Sequence, residues 1–152
     1  MSIGRSTAGA LGVAAAVIGA DQATKALARA GIARGERDPV FPGIELVNVR
    51  NRGVAFGFLS DGGAIVGIVT GLALLALVAF FVVHRHRPLV WLPVGMLVGG
   101  ALGNLADRWR EGAVTDFIDI PLWPAFNLAD VAITFGVLAL LYVLEGPAAR
   151  DG

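Results

Sequence analysis

The sequence predicts an all-α membrane protein: four transmembrane helices with a small β element outside the bilayer. Three observations predict it. Of 152 residues, 56% are hydrophobic and only 16% charged, against about 25% charged in soluble domains. The mean hydropathy is +0.73. Four apolar stretches, 7–25, 62–83, 89–107 and 126–144, each approach the roughly 20 residues that carry a helix through a hydrocarbon core about 30 Å thick. Inside lipid every backbone N–H and C=O needs an internal partner, which favours helices over open strands. A single domain, 1–152, accommodates all four. The formal net charge of zero gives no support to nucleic-acid binding, and the absence of cysteine excludes a disulfide, a thiolate nucleophile and a zinc–thiolate site.

The first stretch has a rival reading. Arg5, an apolar run and small residues also describe a cleaved signal peptide. Against this, Asp21 and Lys25 stand where a cleavage region is small and neutral. They lie four apart on one helix face, in the favourable acid-then-base order. Residues 26–61 form the long polar segment, punctuated by Gly31, Gly35, Pro39, Pro42 and Gly43. Arg29, Arg34, Glu36, Arg37 and Asp38 give its first part an amphipathic or irregular character. From Ile44 to Phe58 the β-branched and apolar content rises, and Asn51-Arg52-Gly53 supplies a turn signal, so a small β element on the membrane surface is expected. In the second and third stretches Gly67, Gly71, Gly95, Gly99, Gly100 and Gly103 are expected to let helices approach closely. The fourth stretch opens with Phe126-Asn127-Leu128-Ala129-Asp130.

Four crossings fix relative sidedness. The ends of the first and third helices share a face with the starts of the second and fourth. Asp21, Lys25, Asn51, Asn104, Asp107, Arg108, Asp116, Asn127 and Asp130 all fall there. The opposite face offers mainly His84-Arg85-His86-Arg87 and the termini. The Lys and Arg count favours a cytoplasmic site, whereas the compact basic loop at 84–87 reads as a cytoplasmic anchor; from residues alone the orientation stays open.

Asp116 and Asp130 are the candidate catalytic groups. A carboxylate within a membrane segment costs roughly 2.5–3.5 kcal/mol on the mildest scale and marks a functional site by default. Two held close cannot both ionise, so they share a proton; one then activates water while the other hydrogen-bonds a carbonyl. The plainer reading is separate salt bridges to Arg108, Arg110 or Lys25. Asp119, in Ile118-Asp119-Ile120-Pro121, is a rival to Asp116 but reads as an exposed loop residue. Asn104 shares a face with Asp107 and Arg108, where Arg108 either holds substrate or complements the helix dipole. Asn127 either caps the fourth helix or serves the site. His84 and His86 stand on the wrong face to activate Ser60 or Thr115. No His/Glu cluster has metal spacing, so no metal or cofactor is expected.

Together these clusters resemble the bacterial lipoprotein signal peptidases (signal peptidase II). The matching segments are Asp21-Gln22-Ala23-Thr24-Lys25, Asn51-Arg52-Gly53-Val54-Ala55-Phe56-Gly57, Gly100 through Arg108, Val114-Thr115-Asp116-Phe117 and Phe126 through Asp130, in order across nearly the whole chain. The resemblance implies an intramembrane aspartyl endopeptidase with Asp116 and Asp130 as its dyad. Asn51, Gly53, Asn104, Arg108 and Asn127 would line or support the substrate site, and Asp21 with Lys25 would be structural or border it. It implies a β-sheet cradle and a short amphipathic helix in the first extramembrane loop. The implied substrate is a prolipoprotein whose Cys carries diacylglycerol, cut just before that Cys; membrane lipid and globomycin-like inhibitors are the other expected partners. It further implies residence in the bacterial cytoplasmic (inner) membrane, multi-pass, with the site at the outer face and both termini cytoplasmic. The connection from Asp116 to Asp130 is short and carries Pro121 and Pro124, whereas other members have a longer loop there. Two readings from other classes are a proton-coupled carrier, which expects acids spread through the membrane depth, and a non-catalytic assembly subunit, indifferent to Asp→Asn exchange.

Overall fold

The computed structural model describes residues 3–53 and 62–145. Four helices frame it: α1 (Ile3–Gly31), α2 (Gly62–His84), α3 (Trp91–Glu111) and α4 (Leu128–Glu145). Between them lie β1 (Arg37–Phe41), β2 (Ile44–Asn51), β3 (Val114–Ile120) and β4 (Trp123–Phe126). The strands form one antiparallel sheet in the order β1-β2-β3-β4. The sheet is therefore built from two hairpins distant in sequence. One comes from the first loop and the other from the connection between α3 and α4.

Helix α3 is the central packing element, against α1 on one side and α4 on the other, with α2 more loosely attached. Glycine sets the spacing. A Cβ on Gly100 would lie 2.6 Å from the Ala129 carbonyl oxygen of α4, and one on Gly103 would lie 2.6 Å from Asp21 Oδ2 of α1. Gly95 and Gly99 meet the α1 backbone in the same way, whereas Gly67 and Gly71 of α2 face open space. The expectation of close approach holds for the α3 glycines and fails for Gly67 and Gly71 of α2, which meet no neighbouring helix.

Helices α2 and α4 are long and apolar enough to cross a membrane. Their outward faces are apolar too: Leu72, Leu75, Val83, Leu138, Leu141 and Tyr142 are exposed. A helix apolar all round needs either a protein core or lipid about it. Helices α1 and α3 carry charge within their length, and Lys25 of α1 pairs with Asp21 of α1 and Asp107 of α3.

The first loop differs from its expected form. No helix occurs between α1 and Gly53; Arg37 and Asp38 begin β1 instead. Residues 54–61, which include Val54-Ala55-Phe56-Gly57, lie outside the described residues, so the implied short helix is not located here. The turn at the end of β2 is present: Gly53 adopts φ +79°, and its N–H donates to Asn51 Oδ1 at 2.8 Å. Asp119 is not a loop residue. It sits on β3, paired with Glu45 of β2 across the strands, and its carboxylate accepts from Arg37. Three residues along a strand put it on the face opposite Asp116.

Candidate active site

Helix α4 begins with a reciprocal cap. Asn127 Oδ1 accepts from the Asp130 N–H at 3.0 Å, and Asp130 Oδ2 accepts from the Asn127 N–H at 3.2 Å. This is a capping box with Asp in place of Glu. The next free helix donor, Ala129 N–H, goes to Asp21 Oδ1 of α1 at 2.9 Å. A carboxylate there also suits the positive end of the helix dipole. Capping therefore accounts for the backbone positions of both Asn127 and Asp130, while leaving the Asn127 amide nitrogen and one Asp130 oxygen to reach elsewhere.

Those remaining atoms form the site. Asn127 Nδ2 donates to Asp116 Oδ1 at 2.7 Å and to Asn104 Oδ1 at 3.2 Å. Asn104 Nδ2 donates to Asp130 Oδ1 at 2.9 Å. Asn51 Nδ2 donates to Asp116 Oδ2 at 3.0 Å. Asn51 reaches Asp116 because β2 and β3 pair with Val49 opposite Asp116 and Asn51 opposite Val114, which makes the two residues diagonal neighbours on one face. The two carboxylates thus hang on one asparagine pair, and neither forms a salt bridge among the described residues.

Beneath this network lies a charged base. Lys25 is fully buried, with Nζ 2.8 Å from Asp21 Oδ2 and 3.0 Å from Asp107 Oδ2. Its third hydrogen bond goes to Asn104 Oδ1 at 2.9 Å. An ammonium only donates, so it obliges Asn104 to present oxygen inward and its NH2 toward Asp130. Asp107 also accepts from Gln22 Nε2 at 2.9 Å and the Thr115 N–H at 3.1 Å, which ties α3 to the start of β3. Gln22 spans to the Gly103 carbonyl as well, at 3.2 Å.

Burial separates the two acids. Asp116 is 2% exposed; its carboxyl is pushed from 3.8 up to about 6, chiefly by loss of solvent, with the Asp130 charge adding to the rise and the Asn51 and Asn127 donors opposing it. Asp130 is half-buried and borders a cavity of about 400 Å³ lined by Trp123, Phe126, Val131, Thr134 and Phe135. One acid is therefore held partly neutral in the interior, and the other faces an apolar cavity.

The structure brings Asp21, Lys25, Asn51, Asn104, Asp116, Asn127 and Asp130 into one hydrogen-bonded cluster at one end of the helices, with Gly53 holding Asn51 in place. Arg108 borders it, near enough for the charges of Asp130, Asp116 and Asp107 to act on its guanidinium. Its Nη1 reaches only the Asn104 carbonyl at 3.4 Å, and its buried Nε has no partner. Sequence reasoning gave Asp107 only a place on the polar face and gave Gln22 no role. Their signal was helical spacing: Gln22 sits three residues before Lys25 beside Asp21, and Asp107 lies one turn beyond Asn104.

The signal peptidase (SPase) II family model matches residues 13–145 of the chain. The chain is 41% identical over 138 residues to the lipoprotein signal peptidase of Moorella thermoacetica, covering 90% of this chain and 92% of that protein. It is 40% identical over 153 residues to that of Nitratidesulfovibrio vulgaris, covering 93% of each. Among solved structures, a bacterial membrane enzyme superposes with a TM-score of 0.84 at 33% identity, covering 91% of this chain and 93% of that one.

Proposed function

The chain belongs to the signal peptidase II family, and on that premise we propose that it is an aspartyl endopeptidase that removes the signal peptide from diacylglyceryl-modified prolipoproteins, cutting just before the lipidated Cys. The observation that carries the mechanism is that Asn127 is bonded to both acids: its Nδ2 donates to Asp116 Oδ1 at 2.7 Å, and it exchanges side-chain-to-backbone hydrogen bonds with Asp130. In this reading the two carboxyls act as one unit, one as base and the other as acid.

In the reaction, the ionised member takes a proton from water as the water oxygen bonds to the scissile carbonyl carbon. The protonated member donates a hydrogen bond to the carbonyl oxygen, which stabilises the developing charge. Collapse of the tetrahedral adduct breaks the C–N bond, and a dyad proton passes to the leaving amine. Asn104, fixed by Lys25, orients Asp130, and Asn51 with Gly53 orients Asp116. Arg108, with its uncommitted Nε–H, is placed to hold a substrate carbonyl. The apolar cavity beside Asp130 suits the residues flanking the cut.

In this reading all four helices span the cytoplasmic membrane. The buried charges Asp21, Lys25 and Asp107 of α1 and α3 are tolerated because they pair with one another within the bundle. The site faces the outer surface and both termini face the cytoplasm. The test is incubation of the purified protein with a diacylglyceryl-modified precursor and with the same precursor unlipidated. The expected product begins at the lipidated Cys, forms only from the modified precursor and is suppressed by globomycin. Equal cutting of both precursors, or a product with another N-terminus, contradicts the proposal.

A further inference from the structure

At the end of the bundle remote from Asp116 and Asp130, three buried donors have no hydrogen-bond partner: the Ser6 hydroxyl, Arg85 Nε–H and the Trp91 indole N–H. Ser6 is 1% exposed. Helical spacing puts it one turn before Ala10 on the same face of α1, and puts Trp91 one turn before Gly95 on the same face of α3. Those two faces meet. A Cβ on Gly95 would stand 2.7 Å from the Ala10 carbonyl oxygen, and one on Gly9 would stand 2.8 Å from the Trp91 ring. Arg85 follows directly on α2 and borders a cavity of about 270 Å³ with Val78, Phe81, Val82, Leu11 and Val98. From Arg85 to Val78 the cavity wall runs about 10 Å along the α2 direction at 1.5 Å per residue.

A buried donor without a partner costs about 1–3 kcal/mol. Arg85 shares that cavity with Ala10 and Gly95, the residues one turn beyond Ser6 and Trp91, so an acceptor-rich anion at this helix junction would serve all three donors. Among the described residues the protein supplies none, since no carboxylate of theirs comes within ion-pair distance of Arg5, Arg85 or Arg87. His84 is already bonded to the Phe80 carbonyl at 2.9 Å. Arg5, His86 and Arg87 are exposed about this end, and the one described acid there, Glu145, is exposed and unpaired.

We infer that this end binds a glycerophospholipid with a net negative headgroup. The phosphate oxygens accept from Arg85, Ser6 and Trp91, and one acyl chain lies in the apolar cavity between α1, α2 and α3. A guanidinium suits a phosphate through paired N–H donors. A zwitterionic lipid offers the same phosphate but also an ammonium, which meets the exposed cations Arg5 and Arg87. Discrimination therefore favours the anionic headgroup.

Thermal unfolding of the purified full chain in non-ionic detergent tests this, with added dioleoylphosphatidylglycerol, dioleoylphosphatidylcholine or inorganic phosphate. The phosphatidylglycerol is expected to raise Tm by several degrees and the other two to leave it unmoved. Ser6→Ala is expected to unfold no lower than the parent without lipid, since its hydroxyl has no partner, yet to lose affinity for phosphatidylglycerol fivefold or more. Arg85→Gln is expected to lose the response, and Val82→Trp, which fills the cavity, gives the same loss if Arg85→Gln does not fold. An equal response to phosphatidylcholine, a response to phosphate alone, or full phosphatidylglycerol affinity in these variants overturns the inference.

Discussion

Replacing Lys25 by Met keeps the unbranched stem, shorter by the terminal nitrogen, and removes the charge from the base of the site. The ammonium has three partners, Asp21 at 2.8 Å, Asp107 at 3.0 Å and Asn104 at 2.9 Å. Removing one member of a buried ion pair costs about 3–5 kcal/mol, because the remaining charge is left unpaired. Here two carboxylates are left, but each keeps other donors: Asp21 the Ala129 N–H, and Asp107 both Gln22 and the Thr115 N–H. The expected loss is therefore about 3 kcal/mol, at the lower end of that range. Function should fall as well, since Asn104 loses the cation that fixes the direction of its amide. The assay is equilibrium unfolding in detergent beside peptide cleavage. The double variant Lys25→Met/Asp107→Asn should recover part of the lost stability, because it removes one stranded charge. A Lys25→Met protein within about 1 kcal/mol of the parent, the range of an exposed pair, and fully active would refute the reasoning.

Further consequences follow from neighbouring contacts. The Asp116 carboxyl is raised from 3.8 to about 6 in the folded chain, so between those values the native state holds a proton that the unfolded chain has released. Stability from this group is full below about pH 4 and is lost as pH rises through about 6, by at most about 3 kcal/mol; Asp116→Asn should flatten that slope in pH-dependent unfolding, and parallel curves would speak against it. Asn127→Ser keeps a capping oxygen but removes the donor to Asp116, so stability should change by less than about 1 kcal/mol while cleavage drops by roughly tenfold or more; loss of both in proportion would show Asn127 to be a cap alone. Gly103→Ala places a Cβ 2.6 Å from Asp21 Oδ2, a carboxylate pinned by Lys25 and Ala129, and should cost about 1–3 kcal/mol; an unchanged melting temperature would mean that α1 and α3 separate freely.

The helices were legible because apolar runs of membrane length leave few alternatives. Their ends were less so. α1 continues to Gly31 and α3 to Glu111, past the polar residues at which an apolar run stops, because Asp21, Lys25 and Asp107 satisfy one another across the two helices. The second hairpin was not legible. Val114–Ile120 holds two acids among its apolar residues, and its partner strand lies some 65 positions earlier, as Asn51 and Asp116 show. That pairing is what turns Asp119 from an apparent loop residue into the partner of Arg37. The gathering of polar residues at one end followed from counting crossings, whereas their wiring did not: periodicity puts Asn104 and Asn127 on the right faces but cannot say that Asn127 donates to Asp116 and Asn104 to Asp130.

In the proposed mechanism Asp116 and Asp130 together activate water. Its most direct measurement is cleavage of a diacylglyceryl-modified prolipoprotein by Asp116→Asn and by Asp130→Asn, each folded and membrane-inserted, with the parent alongside. Each exchange is expected to abolish product formation while the variant still binds the precursor. Near-parental turnover by either one would contradict the shared-proton mechanism and return that acid to the helix cap or the sheet as a structural group.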